Sequence, residues 1–397
     1  MTGQCPSRWA AIGMHALDFD PVLRRLVDAP RAERLTLTHG SAPVWVFTHH
    51  DDVRVVTSDA RFSRRAVLTA DAGRNVVVRP LLDDDATYQD GATHARIRHA
   101  MARVFTRARI DRSRARVESV ATSLVERMRD RGTRADLVES LTSPFALEIA
   151  CDTVGVPREM WPAVCDGLEK VFETTTAARD ALRAREDLAE RFASLVAAAR
   201  RDPGDDLIGV LATDGVDRLT DEQITAAAFH TTHAGWQAIR NHSANMLYLL
   251  LTRPREMERL RAEPAGLDAA VEEMLRFIPR MGGVGVERIA TEDVRVGGVT
   301  VARGEAVYVS YAAANRDPRV FPEPDQLDLG RSDNSHVAYG YGPHYCPAAA
   351  LATVELHTVI TAVLRGLPGV RLAVAEQDVP WRTGSLLRGP RSLPVVW

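Results

Sequence analysis

The part of the sequence best suited to chemistry is the glycine-rich segment Tyr339-Gly-Tyr-Gly-Pro-His-Tyr-Cys346, which precedes apolar helical sequence reaching Glu355. The amides of such a loop and the N-terminus of a helix both favour an anionic sulfur, which suits Cys346 to metal ligation or nucleophilic catalysis. Cys151 and Cys165 lie in apolar helical sequence, which predicts buried and unreactive thiols. The chain has four cysteines and no Cys-x-x-Cys pair, so neither a disulfide framework nor a structural zinc site is expected.

The overall composition is that of an ordinary globular protein. The 397 residues are 45% hydrophobic and 26% charged, and 50 basic residues against 53 acidic ones give a net charge of −3. This balance argues against a dedicated nucleic-acid-binding protein, which would carry a strong basic excess. Residues 1–30 show no signal-peptide pattern, and the strongly apolar stretches fall short of the ~20 residues of a membrane span, so a cytoplasmic location is expected.

The elements that position these residues are mainly helical, with a smaller β region. Short β-type runs are expected at residues 44–48 and 53–57, and helical periodicity dominates from 93 to about 201. A long helix is expected over residues 220–253, because Thr220 and Gln223 form a capping-box pattern and a proline follows at 254. At 1.5 Å per residue this helix would be about 48 Å long and would cross the whole core.

The second half of the chain adds a shorter helix and most of the β sequence. A helix is expected at Leu267–Phe277 before Pro279, and another at 348–364 after the cysteine loop. Residues 284–309, which contain a Gly-Gly hairpin signal, and residues 370–397 are expected to be β-rich. No linker or repeat divides the sequence, so residues 1–397 are interpreted as a single domain.

The cysteine segment resembles the haem-binding loop of the cytochrome P450 family, whose pattern is F-x-x-G-x-[HR]-x-C-x-[GA]. Tyr339 takes the aromatic place, Gly342 the inner glycine, His344 the basic place and Cys346 that of the thiolate. Further motifs of the family occur in the family's order and cover nearly the whole chain. They are His94-x-x-x-Arg98, Glu273-x-x-Arg276, Arg288-Ile-Ala, and a meander with Ala314-Asn-Arg-Asp-Pro318, Phe321-Pro and Leu327-Asp-Leu-Gly-Arg331.

The resemblance implies the cytochrome P450 fold, with residues 220–253 as the long helix over a haem and residues 339–364 as the haem-binding loop and its following helix. It implies haem b as cofactor, Cys346 as the axial iron ligand, and O2 as co-substrate. Electrons would come from NAD(P)H through a ferredoxin reductase and a ferredoxin, since no flavin domain is present. The arginines between positions 96 and 116 could attract an acidic electron donor. The resemblance implies three sets of residues around the haem. Those expected to bind the propionates are His94, Arg98, Arg288 and His344, and those expected to make further haem contacts are Tyr339, Gly340, Ala234 and Gly235. Those expected to form a structural ion network are Glu273, Arg276 and Arg331.

The sequence departs from the family on the long helix, which normally carries A-G-x-[DE]-T. Counting back from the proline at 254, Ala234 and Gly235 occupy the first two places, Gln237 replaces the acid and Ala238 replaces the alcohol. The acid and alcohol normally organise a water chain that supplies protons beside the haem, and glutamine cannot donate a proton as an acid. Either water or substrate hydroxyl groups take over this role in a hydroxylase, or the chemistry has changed to phenol or indole coupling, ring closure or nitration.

Two histidines precede these relay positions by one helical turn. His230 and His233 are expected on the helix face that carries Ala234, Gln237 and Ala238, where the family lines its substrate pocket. A His-x-x-His pair lacks a third metal ligand, and a histidine in a protein core is the plain alternative. The favoured hypothesis is that both contact a polar substrate by hydrogen bonds or relay a proton near neutral pH.

The remaining pocket walls follow from the family alignment and are small and apolar. The lid segments, about 65–90 and 166–190, contain polar groups such as Asp83-Asp-Asp85, which disfavour a wholly hydrocarbon substrate. The wall residues are Val284, Gly285, Val286, Leu386 and Leu387.

The leading interpretation is a haem-thiolate oxidoreductase that tailors an aromatic natural product in bacterial secondary metabolism. Coupling or ring formation on an indole- or phenol-bearing cyclic dipeptide or peptide is the favoured reaction. The first alternative is a conventional monooxygenase that hydroxylates a polyketide, terpenoid or similar molecule with substrate-assisted proton delivery. The second is a catalytically silent haem-binding protein, against which the retained thiolate loop argues.

Overall fold

The computed structural model describes residues 9, 14–39, 42–70, 73, 80–173, 175–213, 218–279, 285–383 and 387–397. The α-helices are α1 (Pro21–Asp28), α2 (His50–Ser58), α3 (Gly91–Ala102), α4 (Arg107–Asp130), α5 (Ser143–Val154), α6 (Trp161–Phe172), α7 (Ala178–Ala199), α8 (Leu207–Ala212), α9 (Asp221–His233), α10 (Ile239–Leu251), α11 (Pro254–Ala262), α12 (Leu267–Phe277), α13 (Tyr311–Ala314) and α14 (Ala349–Gly366). With 56% of the residues helical and 10% in strands, the expected mainly α class with a smaller β region is confirmed.

Within the described residues the strands form three small sheets. They are β1 (Glu33–Leu35), β2 (Val44–Phe47), β3 (Phe62–Ser63), β4 (Arg134–Asp136), β5 (Arg288–Ala290), β6 (Val294–Val296), β7 (Val299–Val301), β8 (Ala306–Val309), β9 (Arg371–Leu372) and β10 (Pro394–Val396). The largest sheet has the order β1-β2-β8-β5-β3, with β2 parallel to β8 and the other pairs antiparallel. A second sheet has the order β4-β10-β9, and β6 pairs with β7. The five-stranded sheet thus joins the N-terminal region to the strands that follow α12.

The long helix expected over residues 220–253 is present but is not uniform. It begins with α9, whose capping box pairs Thr220 and Gln223 through hydrogen bonds of 3.1 and 3.3 Å. It passes through a π-helical turn at Ala234–Ala238 and continues as α10, in which every residue is buried. Pro254 does not merely follow the helix: it occupies the first turn of α11, where its missing N–H costs nothing.

Residues 53–57, expected as a β-type run, lie instead within the helix α2. Val53 and Val56 are buried on one face of this helix. The carboxylates of Asp51 and Asp52 in its first turn interact favourably with the positive end of the helix dipole. The β-branched residues therefore follow the spacing of the buried face and not their local strand preference. That local expectation was wrong.

The β-rich regions are confirmed in outline but are sparser than expected. Strands β5 to β8 occupy parts of residues 285–309, and Gly297 and Gly298 make the β6–β7 turn with φ of 59° and 74°. Within the described part of residues 370–397, only the short strands β9 and β10 form, because turns and proline-rich segments separate them.

The helix α14 after the cysteine loop, expected at residues 348–364, spans Ala349–Gly366. By length and hydropathy it is the one helix in the described residues that could cross a membrane, but half of it is buried inside the fold. It packs against α4 and α10, and the core helices of water-soluble proteins pass the same test. This packing supports the loop that carries Cys346.

Candidate active site

The central helix exposes one narrow stripe of its surface. Among residues 223–251, all side chains are buried except those at five positions, which recur at steps of one, three, one and three and so lie on one face. Because the rest of the helix is buried, we infer that this stripe borders an internal cavity. Part of it lies in the π turn, a feature that often marks functional sites. The stripe consists of His230, Thr231, Ala234, Gly235 and Ala238.

His233 and Gln237 do not belong to the stripe, because both side chains are buried. Gln237 is 3% exposed, and the His233 ring stacks on Phe172 of α6 with centroids 3.2 Å apart. This stacking on Phe172 keeps the His233 ring buried and away from the stripe. The roles given to both residues stay predictions.

Gly235 has a packing role on the stripe. A Cβ atom placed on it would lie 3.0 Å from the Cβ of Ala150, tighter than nearly all such contacts in proteins. The glycine therefore lets the π turn approach α5 closely. A larger residue would push the turn away from α5 and into the cavity.

The loop before α14 holds the backbone of Cys346 in a fixed position. The Cys346 amide donates to the Tyr339 carbonyl at 2.9 Å, and the cysteine lies three residues before the first residue of α14. Gly340 and Gly342 have φ of 82° and 75°, in the left-handed region that favours glycine. At Gly342 a Cβ would also lie 2.7 Å from the carbonyl oxygen of Thr57. The loop thus needs glycine at 342 for both conformation and space.

Four residues assigned to propionate binding come together beside this loop, although they lie far apart in the sequence. The rings of His94 in α3 and His344 in the loop have centroids 4.0 Å apart. Arg98, one turn after His94, donates from Nη2 to the Tyr345 carbonyl at 2.6 Å. Arg288 of β5 is 1% exposed and donates a 3.3 Å hydrogen bond to the carbonyl oxygen of Val286.

A fifth residue, Arg64, belongs to the same cluster and was missed by the sequence analysis. Arg64 follows β3 and is 7% exposed. Burial and then the charge of Arg288 lower the pKa of Arg64 to about 9. Burial, followed by Arg98 and Arg64, lowers the pKa of His94 to about 4. No motif marks Arg64, so only the fold could reveal it.

The cluster fits an anionic group bound between its members. Within the part of the chain that the structure describes, Nη2 of Arg288, Nε of Arg64 and Nε2 of His94 are buried without a hydrogen-bond partner. Each such donor costs about 1–3 kcal/mol, so an unfilled cluster of this kind is unfavourable. The two propionates of a haem would satisfy these donors, and a cysteine on the neighbouring loop supplies the thiolate that haem iron binds.

The ion network expected around Glu273 lies behind the loop. The Glu273 carboxylate accepts two hydrogen bonds of 2.7 Å from Arg276, and neither side chain is exposed. Arg331 adds a third contact at 3.1 Å. The loop is anchored nearby, because the Val337 amide donates to Oδ1 of Asn315 at 2.7 Å.

A second feature that the sequence analysis missed is an ion pair between His230 on the stripe and Asp85. Nδ1 of His230 lies 3.0 and 3.1 Å from the two carboxylate oxygens of Asp85. The Asp85 side chain is 2% exposed, whereas that of His230 is 36% exposed although it lies deep in the molecule. His230 therefore faces the internal cavity. The acidic triplet 83–85 was noted as polar lid sequence, but nothing local indicated its partner.

The other assigned wall residues are only partly described. Gly285 donates its amide to the Val309 carbonyl at 2.9 Å, and Val286 packs at the edge of the main core. Leu387 is buried at 7% exposure. Val284 and Leu386 lie outside the described residues.

Much of the arginine excess on α3 and α4 is engaged within the chain. Arg109 pairs with Asp205 at 2.8 Å, and Arg116 pairs with Glu148 and Asp152 at 2.5 and 2.9 Å. These pairs lower the positive charge that the helix offers to an electron donor.

The fold, the cysteine loop and the cationic cluster define a haem-thiolate protein, and comparison with known proteins agrees. The family model for cytochrome P450 matches residues 158–368. The chain belongs to the cytochrome P450 family. It is an oxidoreductase of the P450 monooxygenase type, with haem b as prosthetic group and with O2 and an external electron donor.

Similar proteins come from bacterial secondary metabolism and cover nearly the full chain. Biflaviolin synthase of Streptomyces coelicolor is 37% identical, covering 100% of this chain and 98% of its own. Nocardicin C N-oxygenase of Nocardia uniformis is 40% identical, covering 96% of each. The crystal structure of cytochrome P450mel 107F1, described as having biaryl coupling reactivity, superposes with a TM-score of 0.95 at 37% identity, covering 98% of this chain and 99% of that one. The expected P450 fold is thereby confirmed.

Proposed function

We propose that this enzyme tailors an aromatic natural product by oxidative coupling or ring formation. The substrate is an indole- or phenol-bearing cyclic dipeptide or peptide. The observation that carries the proposal is the composition of the helix stripe: Ala238 takes the place of the alcohol, and Gln237 takes the place of the acid and lies off the stripe. A substrate with its own O–H or N–H group compensates for both.

The residues around the cavity would hold the cofactor in a fixed orientation. Thiolate-bound haem iron supplies oxygen activation and one-electron oxidation. Cys346 would bind the iron, while Arg64, Arg288 and His94 would donate hydrogen bonds to the propionates with their unpaired N–H groups. The buried network at Glu273 would keep the loop from moving when the substrate enters.

Two similar proteins support the coupling reaction. One is the P450 whose structure is described as having biaryl coupling reactivity, and the other is named a biflaviolin synthase; both are 37% identical to this chain. A ferredoxin serves as electron donor in this proposal, and the location is the cytoplasm.

Oxygen insertion is the second candidate function. The relative that is 40% identical is an N-oxygenase, so the same fold and a comparable sequence distance accommodate direct oxygenation. In that case a polyketide, terpenoid or similar substrate would be hydroxylated, and bound water or a substrate hydroxyl would provide the protons.

The deciding experiment is a spin-state titration of the purified holoenzyme, followed by product analysis. The ligand panel contains tryptophan- and tyrosine-containing cyclic dipeptides, short aromatic peptides, macrolides, terpenoids and fatty acids. We expect a tight absorbance shift with an aromatic cyclic dipeptide, and a product with NAD(P)H, ferredoxin reductase and ferredoxin that has lost two hydrogens. A shift only with the other classes, or a product that has gained one oxygen, would replace coupling by hydroxylation.

A further inference from the structure

His230 is the only ionisable residue on the accessible stripe of the central helix. The other four stripe positions carry a threonine, two alanines and a glycine, so they offer no charge to a bound molecule. Gln237 and Ala238 in the relay positions supply no acid, so His230 is the one stripe residue that can change its charge near neutral pH. The protonation state of His230 therefore decides which polar group of a ligand the stripe can bind.

Asp85 fixes the orientation of the His230 ring. The Asp85 carboxylate caps a short 3₁₀ turn by accepting from the Thr87 amide at 2.7 Å, which holds it in place. Both of its oxygens lie within 3.1 Å of Nδ1 of His230, and the Thr87 hydroxyl lies 3.5 Å from the same atom. Nδ1 must therefore carry a proton. Nε2, at the opposite side of the ring, has no hydrogen-bond partner among the described residues, and the ring is partly accessible.

The charges around the pair favour an ionic state. Burial and the charge of Arg64 act to lower the pKa of His230, but the charge and hydrogen bond of Asp85 outweigh them and raise it. Burial alone would raise the pKa of Asp85, yet His230 and the Thr87 hydrogen bonds hold it below its ordinary value. The pair thus keeps a carboxylate and an imidazolium together in a buried place.

We infer that Asp85 is a positioning residue that holds His230 as an imidazolium, whose Nε2–H is donated to an oxygen acceptor on the substrate. This inference rests on the proposed function, because it specifies how that site selects its substrate. The acceptor is a phenol oxygen or the carbonyl oxygen of a cyclic dipeptide. Both present a lone pair to a charged donor, which makes a stronger hydrogen bond than a neutral one.

The first test measures the pair without any substrate. Ferrous carbon-monoxide holoenzyme labelled with ¹⁵N-histidine is titrated by NMR, and the His230 signals are assigned by their loss in His230→Gln. We expect His230 to titrate above ~6.5 in the unmodified protein. In Asp85→Asn, which can still cap the turn, we expect its pKa to fall by about one unit or more. An unchanged pKa in Asp85→Asn would overturn the inference.

The structure offers a matched control pair away from the cavity. Nε2 of His357 lies 3.3 Å from Oδ1 of Asp268, and Nδ1 of His357 lies 3.4 Å from the Thr361 hydroxyl. Asp268→Asn changes a histidine–aspartate pair of similar composition without touching the stripe. It should leave the His230 titration and ligand binding unchanged.

The second test measures ligand affinity by spin-state titration between pH 6 and 8.5. The probes are cyclo(Tyr-Tyr) and cyclo(Phe-Phe), which share carbonyl oxygens but differ in the phenol. Affinity should fall as the pH rises through the pKa of His230, and Asp85→Asn should weaken binding about tenfold or more at pH 6.5. His230→Gln, which retains a donor, should bind without this pH dependence, and His230→Phe should lose affinity.

The two probes distinguish the acceptors. A pH effect with cyclo(Tyr-Tyr) alone assigns the phenol oxygen, and one with both probes assigns the carbonyl. Affinity that is independent of pH and of both His230 variants would overturn the inference. If neither probe binds while the NMR shift is present, the proposed substrate class fails and the charged pair stands.

Discussion

Glu273 holds Arg276 through two parallel hydrogen bonds of 2.7 Å in a place where neither side chain reaches solvent. Arg276 also donates to the carbonyl oxygens of Asn315 and Pro324 at 2.8 and 2.9 Å. The pair thus links α12 to the irregular segment that leads into the cysteine loop. Such a pair is costly to break, because the remaining partner becomes an unpaired buried charge.

Glu273→Gln should therefore destabilise the folded holoenzyme by about 3–5 kcal/mol. The free energy of unfolding from urea denaturation measures this loss. Asp166→Asn provides the control, since Asp166 pairs with Lys170 at 2.6 Å on the surface and such pairs contribute about 0–1 kcal/mol. Equal effects of the two substitutions would show that the Glu273 network contributes little to stability.

Arg64→Gln should weaken the hold on haem without changing the fold. The variant loses a buried cation that has an unpaired Nε–H, and a hydrogen bond to a charged group is worth about 1.5–3 kcal/mol, or roughly 10- to 100-fold in haem loss. Transfer of haem to an excess of apomyoglobin measures the rate.

Arg61→Gln is the neighbouring control for Arg64. Arg61 lies three residues earlier and is exposed, where it pairs with Asp59 at 2.6 Å. We expect the rate of haem loss from Arg61→Gln to match that of the unmodified protein. Equal rates in both variants would place the propionates away from Arg64.

The sequence predicts best those features that local chemistry determines. The helix Leu267–Phe277 has the bounds expected from its periodicity and the proline at 279, and the capping box at Thr220 and Gln223 forms. The glycines around Cys346 also act locally, because the chain there requires positive φ. In each case the deciding residues lie within a few positions of the feature.

Tertiary contacts decide the features that the sequence could not reveal. His230 and Asp85 are 145 positions apart, and no local pattern relates them. Arg64 joins the cationic cluster only because β3 pairs with β5, which carries Arg288. The π turn owes its place to close packing of Gly235 against Ala150, and that packing arises only in the folded chain.

Gly342→Ala should disrupt the cysteine loop by two effects, an unfavourable φ and a Cβ 2.7 Å from the Thr57 carbonyl oxygen. Strain at positive φ costs about 1–3 kcal/mol, and the steric overlap adds to it. Haem content and the thermal midpoint measure the result. Gly369→Ala separates the two effects, because Gly369 has φ of 77° and open space where its Cβ would lie. If Gly369→Ala lowers the haem content as much as Gly342→Ala does, the loss of haem in Gly342→Ala results from general destabilisation and not from disruption of the cysteine loop.

Restoring the relay residues should reduce the dependence on substrate protons. In the unmodified enzyme we expect the O–H or N–H form of an active aromatic substrate to be turned over at least tenfold faster than its methylated analogue. In the double variant Gln237→Glu/Ala238→Thr this ratio should fall, because the threonine introduced on the stripe adds a proton donor of the protein. It should stay above one, since coupling itself removes hydrogen from the O–H or N–H group. NAD(P)H consumption with paired substrates measures the ratio. A ratio that stays unchanged would show that the substrate does not replace the missing acid and alcohol.

Glu355→Gln should flatten the dependence of stability on pH. Glu355 is 4% exposed in α14, and burial raises its pKa from 4.5 to about 8. The folded state thus retains a proton that the unfolded state releases above pH 4.5, so stability falls between about pH 4.5 and 8 and then levels off. At ~1.4 kcal/mol per pKa unit, removal of the carboxyl should stabilise the protein by a few kcal/mol at pH 8.5 and by little at pH 5.

Urea unfolding at both pH values measures the difference, with Glu118→Gln on the exposed face of α4 as the control. An equal effect of Glu355→Gln at both pH values would show that Glu355 titrates normally in the folded protein.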